Sequence, residues 1–334
     1  MSIKSTNNSS TKLDQIIASI GADRIKKNFP LSQITWMKVG GPADLFFIAH
    51  TKQDLIDIVS LCYKHDQQIT VLGGGSNILV KDGGIRGVVV QNRSNKISLV
   101  GIKGGVVNKQ TGISTVSIRA ESGTFVNALV RYTIDESLQG LEEFLGIPGT
   151  VGGAVFNNSH HLDHLIGDNI VEVEVIGADG KIKTYSQNQM KFDYNYSILQ
   201  KTKEIILTAT FKLSTGNNQK LWEKAEAALK RRRDTQPLEV PSSGCMFKNI
   251  SQSQALQYST PDHQTSAGFL IDKAGLRGKQ IGGAEVSKIH ANFIINTGNA
   301  TASDIIKLKD FVAKSVKDKF GVTLDTEVFF IGED

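Results

Sequence analysis

Cysteine is scarce in this chain of 334 residues: only Cys62 and Cys245 are present. That is too few for a disulfide framework and too few for a metal site built of cysteines. No apolar run approaches the roughly 20 residues that a membrane-spanning helix needs. The opening residues, MSIKSTNNSSTKLDQ, are polar and carry no hydrophobic signal core. They read as a flexible segment over residues 1–20, with no export and no membrane partner expected. A cytoplasmic monomer is the economical expectation. Internal repeats and low-complexity tracts are also missing.

Charge of one sign is not in large excess. Lys and Arg number 38 against 33 Asp and Glu, a net charge of +5. Basic residues are interleaved with acidic ones, and the one dense cluster is Lys230-Arg231-Arg232-Arg233. On a helix such a run is a solvated face, or a site for anionic phosphates. No aromatics interleave with it, so nucleic acid is not an expected partner.

Periodicity predicts strands at 44–49, 69–73, 87–91, 113–121, 204–213, 291–296 and 322–331. Helices are predicted from Thr51 to about His65, over 124–138, 217–234, 266–274 and 302–319. Leu55, Ile58, Val59 and Cys62 share one face of the first helix. Two strand-like runs flank Ala178-Asp179-Gly180, a hairpin signal. Composition changes after 214. The expected organisation is therefore a larger α+β domain over 21–214, in two lobes split near 68, and a smaller α+β domain over 215–334.

The sharpest local feature is Leu72-Gly73-Gly74-Gly75-Ser76-Asn77, directly after a strand. Glycines there let backbone amides converge on a pyrophosphate, with Ser76 and Asn77 adding donors. The segment lacks the G-x-G-x-x-G spacing of a nicotinamide Rossmann domain, and no Gly-Lys-Ser/Thr of a P-loop follows. A tight turn without a ligand remains an alternative for this segment alone. Gly146-Ile147-Pro148-Gly149-Thr150-Val151-Gly152-Gly153-Ala154 and Gly40-Gly41-Pro42-Ala43 are two further small-residue stretches. Several such loops in one domain suit a long, flat ligand such as a flavin dinucleotide.

The ordered set of these stretches resembles the UDP-N-acetylenolpyruvoylglucosamine reductase family. Gly140-Leu141-Glu142-Glu143-Phe144 precedes the second glycine run. Beyond it stand Thr235-Gln236-Pro237, Gly244-Cys245-Met246-Phe247-Lys248-Asn249, Ser266-Ala267-Gly268-Phe269 and Glu327-Val328. The resemblance covers about residues 31–332, and it is to the branch without an extra tyrosine-bearing substrate lid. It implies an FAD-binding domain of the vanillyl-alcohol-oxidase type, followed by a substrate domain. The implied cofactor is bound FAD, with NADPH as co-substrate and UDP-N-acetylglucosamine enolpyruvate as the substrate reduced for peptidoglycan synthesis. Alternatives are a flavin oxidoreductase of the same fold with another substrate, and a non-catalytic UDP-sugar or flavin-binding relative.

Site residues follow from the same resemblance. Gly40, Gly41, Pro42, Leu72, Gly73, Gly74, Gly75, Ser76, Asn77, Ser122, Gly123, Pro148, Gly149, Thr150, Gly152, Gly153, Ala154 and Asn158 would hold the cofactor. Gln236, Lys248, Asn249, His290 and Asn292 would face the substrate. Cys245 stands where the family's proton-donating serine is usual, and Lys248 is expected to lower its pKa and make it sensitive to alkylation. Glu327 would assist at the enolate.

Two departures stand out. Asn195, in Phe192-Asp193-Tyr194-Asn195-Tyr196-Ser197, occupies the position of a charge-stabilising arginine, and it has no charge to offer. Arg233, Lys248 and Lys288 are candidate substitutes, and Asn195→Arg is expected to be tolerated. The segment Ser159-His160-His161-Leu162-Asp163-His164 replaces a loop of small residues. It suggests a reshaped flavin rim, a histidine standing in for the missing charge, or a metal held with Asp163. The metal reading takes His160 and His164 as neighbours on a helix.

Overall fold

Thr51 starts a helix by local chemistry. Its hydroxyl accepts the Asp54 amide at 3.0 Å, and the Asp54 carboxylate accepts the Thr51 amide at 3.1 Å. Such a reciprocal cap contributes roughly 1 kcal/mol. The helix that follows, Lys52–Lys64, buries Leu55, Ile58, Val59 and Cys62 along one stripe. Burial of each of the three aliphatic side chains is worth about 1.5–3 kcal/mol.

The computed structural model describes residues 6–103, 115–161 and 164–334. They form two compact units. The first comprises residues up to Asn28, Asp44–Gly74 and Gly87–Lys230; the second comprises Phe29–Ala43, Gly75–Arg86 and Arg231–Asp334. The chain thus passes between units several times, and the expected single boundary near 215 lies inside the first. The reason is pairing: Phe329–Ile331 runs parallel to Ile78–Val80, which draws that early segment into the second unit.

In the first unit, a six-stranded antiparallel sheet runs in the order Ile182–Ser186, Ile170–Ile176, Ile205–Thr215, Thr115–Glu121, Ile97–Lys103, with Leu138–Gln139 also on the third strand. Helices Val126–Asp135 and Val151–Asn157 share a core with it, built on Ile118, Leu129, Phe144, Val151, Val173 and Phe211. A second sheet takes the order Ile25–Pro30, Pro42–Ala49, Ile85–Asn92, Ile69–Leu72. Ile69–Leu72 pairs in parallel with residues 88–91, so the strand that begins just after residue 68 joins the same sheet as Pro42–Ala49.

In the second unit, the sheet order is Ser242–Cys245, Phe293–Asn296, Ala284–Val286, Gln280–Ile281. The helix Ala302–Phe320 buries Ala302, Ile305, Leu308, Val312 and Val316. It opens on a Thr301–Asp304 cap and closes on Gly321, whose φ of 73° is the left-handed conformation that favours glycine.

Other expectations shift in detail. Residues 6–20 form a helix, and Ile16 is fully buried, so the flexible segment does not extend to residue 20; residues 1–5 lie outside the described ones. The helix expected over 124–138 is Val126–Asp135, and the strand expected over 322–331 is only Phe329–Ile331. The strand expected to begin at 113 is described from Thr115. No helix among the described residues is long and apolar enough to cross a membrane.

Candidate active site

Two of the three glycine stretches meet within the first unit. A β-carbon on Gly73 would collide with the Thr150 hydroxyl, and one on Gly74 would lie 2.9 Å from the Gly149 Cα. Gly149 itself has φ 105°, a backbone that L side chains rarely adopt. The turn at Ser122–Thr124 docks on the same place. The Val151 amide donates to the Thr124 carbonyl and the Gly152 amide to the Ser122 carbonyl, each at 2.8 Å. A β-carbon on Gly123 would run into the Ser94 backbone. In this neighbourhood the Thr124 and Ser94 hydroxyls are buried without any protein partner. Buried hydroxyls without partners are costly unless a ligand or water completes them. Small-residue turns and unfilled donors together fit a phosphate-bearing cofactor.

Not every expected cofactor residue presents its side chain. The Ser122 hydroxyl donates to the Ile206 carbonyl at 2.6 Å and accepts from Asn92. The Asn158 side chain donates to the Asp193 carbonyl and accepts from the Gly167 amide. Pro148 and Leu72 flank the cradle, Ala154 is buried, and Gly153 is exposed, where a β-carbon would meet only the Thr150 hydroxyl, at 3.9 Å. The third glycine stretch belongs to the second unit. There Gly41 leaves no room for a β-carbon against the Asp82 carbonyl, and the Gly41 amide donates to the Lys81 carbonyl. Gly40 packs on Val80, beside exposed Pro42. Close backbone packing accounts for these glycines. Gly75 and Ser76 also lie in the second unit, and the Asn77 amide group donates to the Glu327 carbonyl.

In the second unit the sheet register brings Cys245 opposite Phe293. The Glu327 amide donates to the Met246 carbonyl at 2.9 Å, which draws the C-terminal segment alongside. Burial pushes the Cys245 thiol well up, the Glu327 charge pushes it further, and the Arg232 guanidinium and a side-chain hydrogen bond with Asn292 oppose them. The thiol stays protonated at neutral pH, so the expected activation toward alkylation by Lys248 does not hold. Lys248 is half-buried, and its backbone amide bonds the Asp325 carbonyl.

Arg232 is the functional candidate that sequence reasoning missed in favour of Arg233 and Lys288, both exposed. Its Nε is buried without a partner, as is the Oε1 of Gln236 one helical turn on. The signal was present in the helix phase. Leu221, Ala225 and Ala228 form the buried stripe of Asn218–Thr235, and Arg232 is the next residue on that stripe.

The substrate-facing set divides. Asn249 accepts the Ala267 amide at 3.1 Å. Asn292 is 2% exposed, and its carboxamide is spent on the Phe247 backbone. His290 is half-buried, and burial lowers its pKa.

Asn195 lies in the first unit, fully buried, with φ 51°. Its Oδ1 accepts from Asn157 at 3.3 Å, and its Nδ2 has no partner. His160 shares a hydrogen bond with Asn195, and its ring lies 4.9 Å from that of Tyr194. Burial lowers the pKa of His160, so this imidazole is neutral at pH 7 and supplies no cation. The histidine segment is not helical: His160–His161 pairs antiparallel with His164–Leu165. His164 lies 3.2 Å from Glu143, and Asp163 falls outside the described residues.

Residues 43–186 match the FAD binding domain family, and residues 236–331 match the C-terminal domain of UDP-N-acetylenolpyruvoylglucosamine reductase. With the glycine cradle and its buried hydroxyls, the first match defines a flavoprotein oxidoreductase of α+β architecture. The UDP-N-acetylenolpyruvoylglucosamine reductase of Clostridium botulinum strain Alaska E43 is 40% identical over 93% of this chain and 94% of its own length. That of Lachnoclostridium phytofermentans is 37% identical over 96% of this chain and 97% of its own length. The crystal structure of the Thermus caldophilus reductase superposes with a TM-score of 0.72 at 29% identity, covering 92% of this chain and 99% of that one. The chain belongs to the UDP-N-acetylenolpyruvoylglucosamine reductase family.

Proposed function

We propose that this protein reduces UDP-N-acetylglucosamine enolpyruvate to UDP-N-acetylmuramate in peptidoglycan precursor synthesis, with NADPH as reductant. The first unit holds FAD and the second carries the substrate-side chemistry. FAD, when bound, supplies the two-electron transfer that links NADPH to the enolpyruvyl double bond. Gly73, Gly74 and Gly149 admit its pyrophosphate to backbone amides, and the Thr124 and Ser94 hydroxyls offer donors.

The observation that carries the reading is the strand position of Cys245, with the Glu327 segment held alongside by the Glu327 amide's bond to the Met246 carbonyl. The Glu327 charge favours the protonated thiol and the Arg232 guanidinium the thiolate. Hydride addition to the vinyl carbon leaves an electron pair on the neighbouring carbon, delocalised into the substrate carboxylate. Cys245 gives its proton to that carbon, its S–H bond breaks, and solvent later restores the proton. Glu327 keeps the thiol protonated until then. Arg232 offers a positive charge near the thiol, and it stabilises the thiolate that remains. Gln236 and Lys248 lie on neighbouring segments of the same unit, suited to the nucleotide phosphates.

Stopped-flow flavin absorbance tests the reading. Purified protein is expected to be yellow, to bleach with NADPH, and to recover its colour rapidly when the enolpyruvyl sugar is added. Recovery at the same slow rate with and without that sugar would exclude this substrate. A colourless protein that takes up no FAD would exclude the flavoenzyme altogether.

A further inference from the structure

Met246 and Ile294 point into the core of the second unit. Side chains alternate along a strand, so Cys245 and Phe293, paired in register, share the opposite face. The His290 ring packs there, its centroid 5.0 Å from that of Phe293 in an edge-to-face arrangement. Gly268 makes room for it, since a β-carbon at that position would lie 3.1 Å from the His290 Cε1. The segment leading to the ring is braced from two sides. The Ser287 hydroxyl oxygen accepts the Ile289 amide at 3.1 Å, and the Arg277 Nη1 donates to the Lys288 and Ile289 carbonyls at 2.6 and 3.0 Å.

One contact fixes the protonation of the imidazole. The Asn292 backbone amide donates to the His290 Nδ1 at 3.3 Å. A backbone amide can only donate, and an imidazole nitrogen has a single lone pair, so Nδ1 carries no proton. Turning the ring over would set a C–H against the amide of Asn292, a buried residue. The rival arrangement, an Nδ1–H turned to the residue's own carbonyl, would leave that amide facing a second N–H. Burial and the Arg277 charge both disfavour a doubly protonated ring. The proton is therefore on Nε2, which is open to solvent and has no protein partner among the described residues.

We propose that His290 presents its Nε2–H, as a neutral hydrogen-bond donor on the Cys245 face, to an anionic oxygen of the nucleotide sugar. That oxygen belongs to the diphosphate or to the enolpyruvyl carboxylate. The substrate half of this inference rests on the proposed reaction. The tautomer does not, which lets the two be tested apart.

Two-bond proton–nitrogen NMR on protein carrying heavy-nitrogen histidine reads the tautomer directly, with His290 identified by its nuclear Overhauser contact to the Phe293 ring. A protonated Nε2 beside a bare Nδ1 is expected, and the reverse pattern would overturn the proposal. Two variants read the donor. Glutamine sets an amide nitrogen near the place of Nε2, whereas asparagine is too short to reach it. His290→Asn is therefore expected to lower kcat/KM for the enolpyruvyl sugar about tenfold, and His290→Gln by no more than about threefold, as loss of one hydrogen bond predicts. Equal losses in the two variants, or none in His290→Asn, would overturn the donor by showing that the ring only packs against Phe293 and Gly268. Calorimetry with UDP locates the acceptor. Weakened binding in His290→Asn places it on the diphosphate; unchanged binding, with the sugar still weakened, places it on the carboxylate. Should neither variant fold, the native resonances decide: the Nε2 proton is expected to shift when the sugar binds, and an unmoved one overturns the proposal. If the enolpyruvyl sugar fails to reoxidise the flavin, the proposed reaction falls, while the tautomer still stands or falls on its resonances.

Discussion

Around Gly73 and Gly149 in the first unit, what matters is what is missing: side chains whose presence would close the gap between two turns. Around Cys245 in the second, what matters is what has been added, a thiol, a carboxylate, a guanidinium and a carboxamide in one neighbourhood. The two cysteines sharpen the contrast. Cys62 sits in an apolar stripe, and burial alone raises its thiol to about 12. Cys245 is also raised by burial, but charged and hydrogen-bonding neighbours then adjust it in both directions. A structural thiol and the thiol proposed as proton donor share a direction of shift; the neighbours separate them.

The largest effect expected on either side is at Cys245. Cys245→Ala should slow substrate-driven flavin reoxidation by about 10²–10⁴-fold, the range of a lost general acid, while bleaching by NADPH stays within about twofold. Equal loss of both half-reactions would make the residue structural and erase the contrast.

In the first unit, Gly73→Ala should lower folded stability or flavin retention by about 1–3 kcal/mol through overpacking, measured by urea unfolding and by titration with FAD. Gly153→Ala, at an exposed site where a β-carbon meets nothing closer than 3.9 Å, should change either by less than about 0.5 kcal/mol. Equal effects at both positions would mean that the cradle has no special need of glycine.

Asn195→Arg is expected to destabilise by about 3 kcal/mol, contrary to the tolerance that sequence suggests. The change would place an unpaired cation in a fully buried position. An unchanged urea midpoint, or a faster turnover, would show that the pocket still accommodates arginine.

The smallest effect concerns Cys62. Its folded pKa lies above the unfolded value near 9, so its contribution to stability is complete below that value and is lost as pH rises toward 12. At pH 10 the native protein should lose about 1.4 kcal/mol relative to neutral pH from this group. Cys62→Ala should flatten the alkaline slope of stability by that amount. An identical slope would show that the thiol titrates normally.

Local pattern made much of the fold legible. The helix at 52–64 could be read from a capping threonine and a four-residue apolar stripe, and the hairpin around Asp179 from its turn residues. The terminal strand was overestimated, because alternation over 322–331 does not reveal how few residues find a partner. The unit boundaries were illegible for the same reason: parallel pairing of Phe329–Ile331 with Ile78–Val80 spans some 250 residues, and no local feature encodes it. The closeness of Gly73 to Gly149 was anticipated, whereas the close packing of Gly40 and Gly41 on Val80 and the Asp82 backbone was not. Arg232 was hidden in a charged run that looked solvated, although the phase of its helix pointed inward.

Residue types in order were enough to determine the family, the cofactor class and the candidate acid, because glycine, cysteine and glutamate each bring chemistry that their immediate neighbours can frame. Only the tertiary structure decided which atoms are left over for a ligand. Asn158, Ser122 and Asn292 have the right chemistry and spend it on the protein itself, whereas Arg232 and Thr124 keep a buried polar atom without a protein partner. A hydrogen bond is counted in three dimensions, and the sequence supplies the donors without saying where they are used.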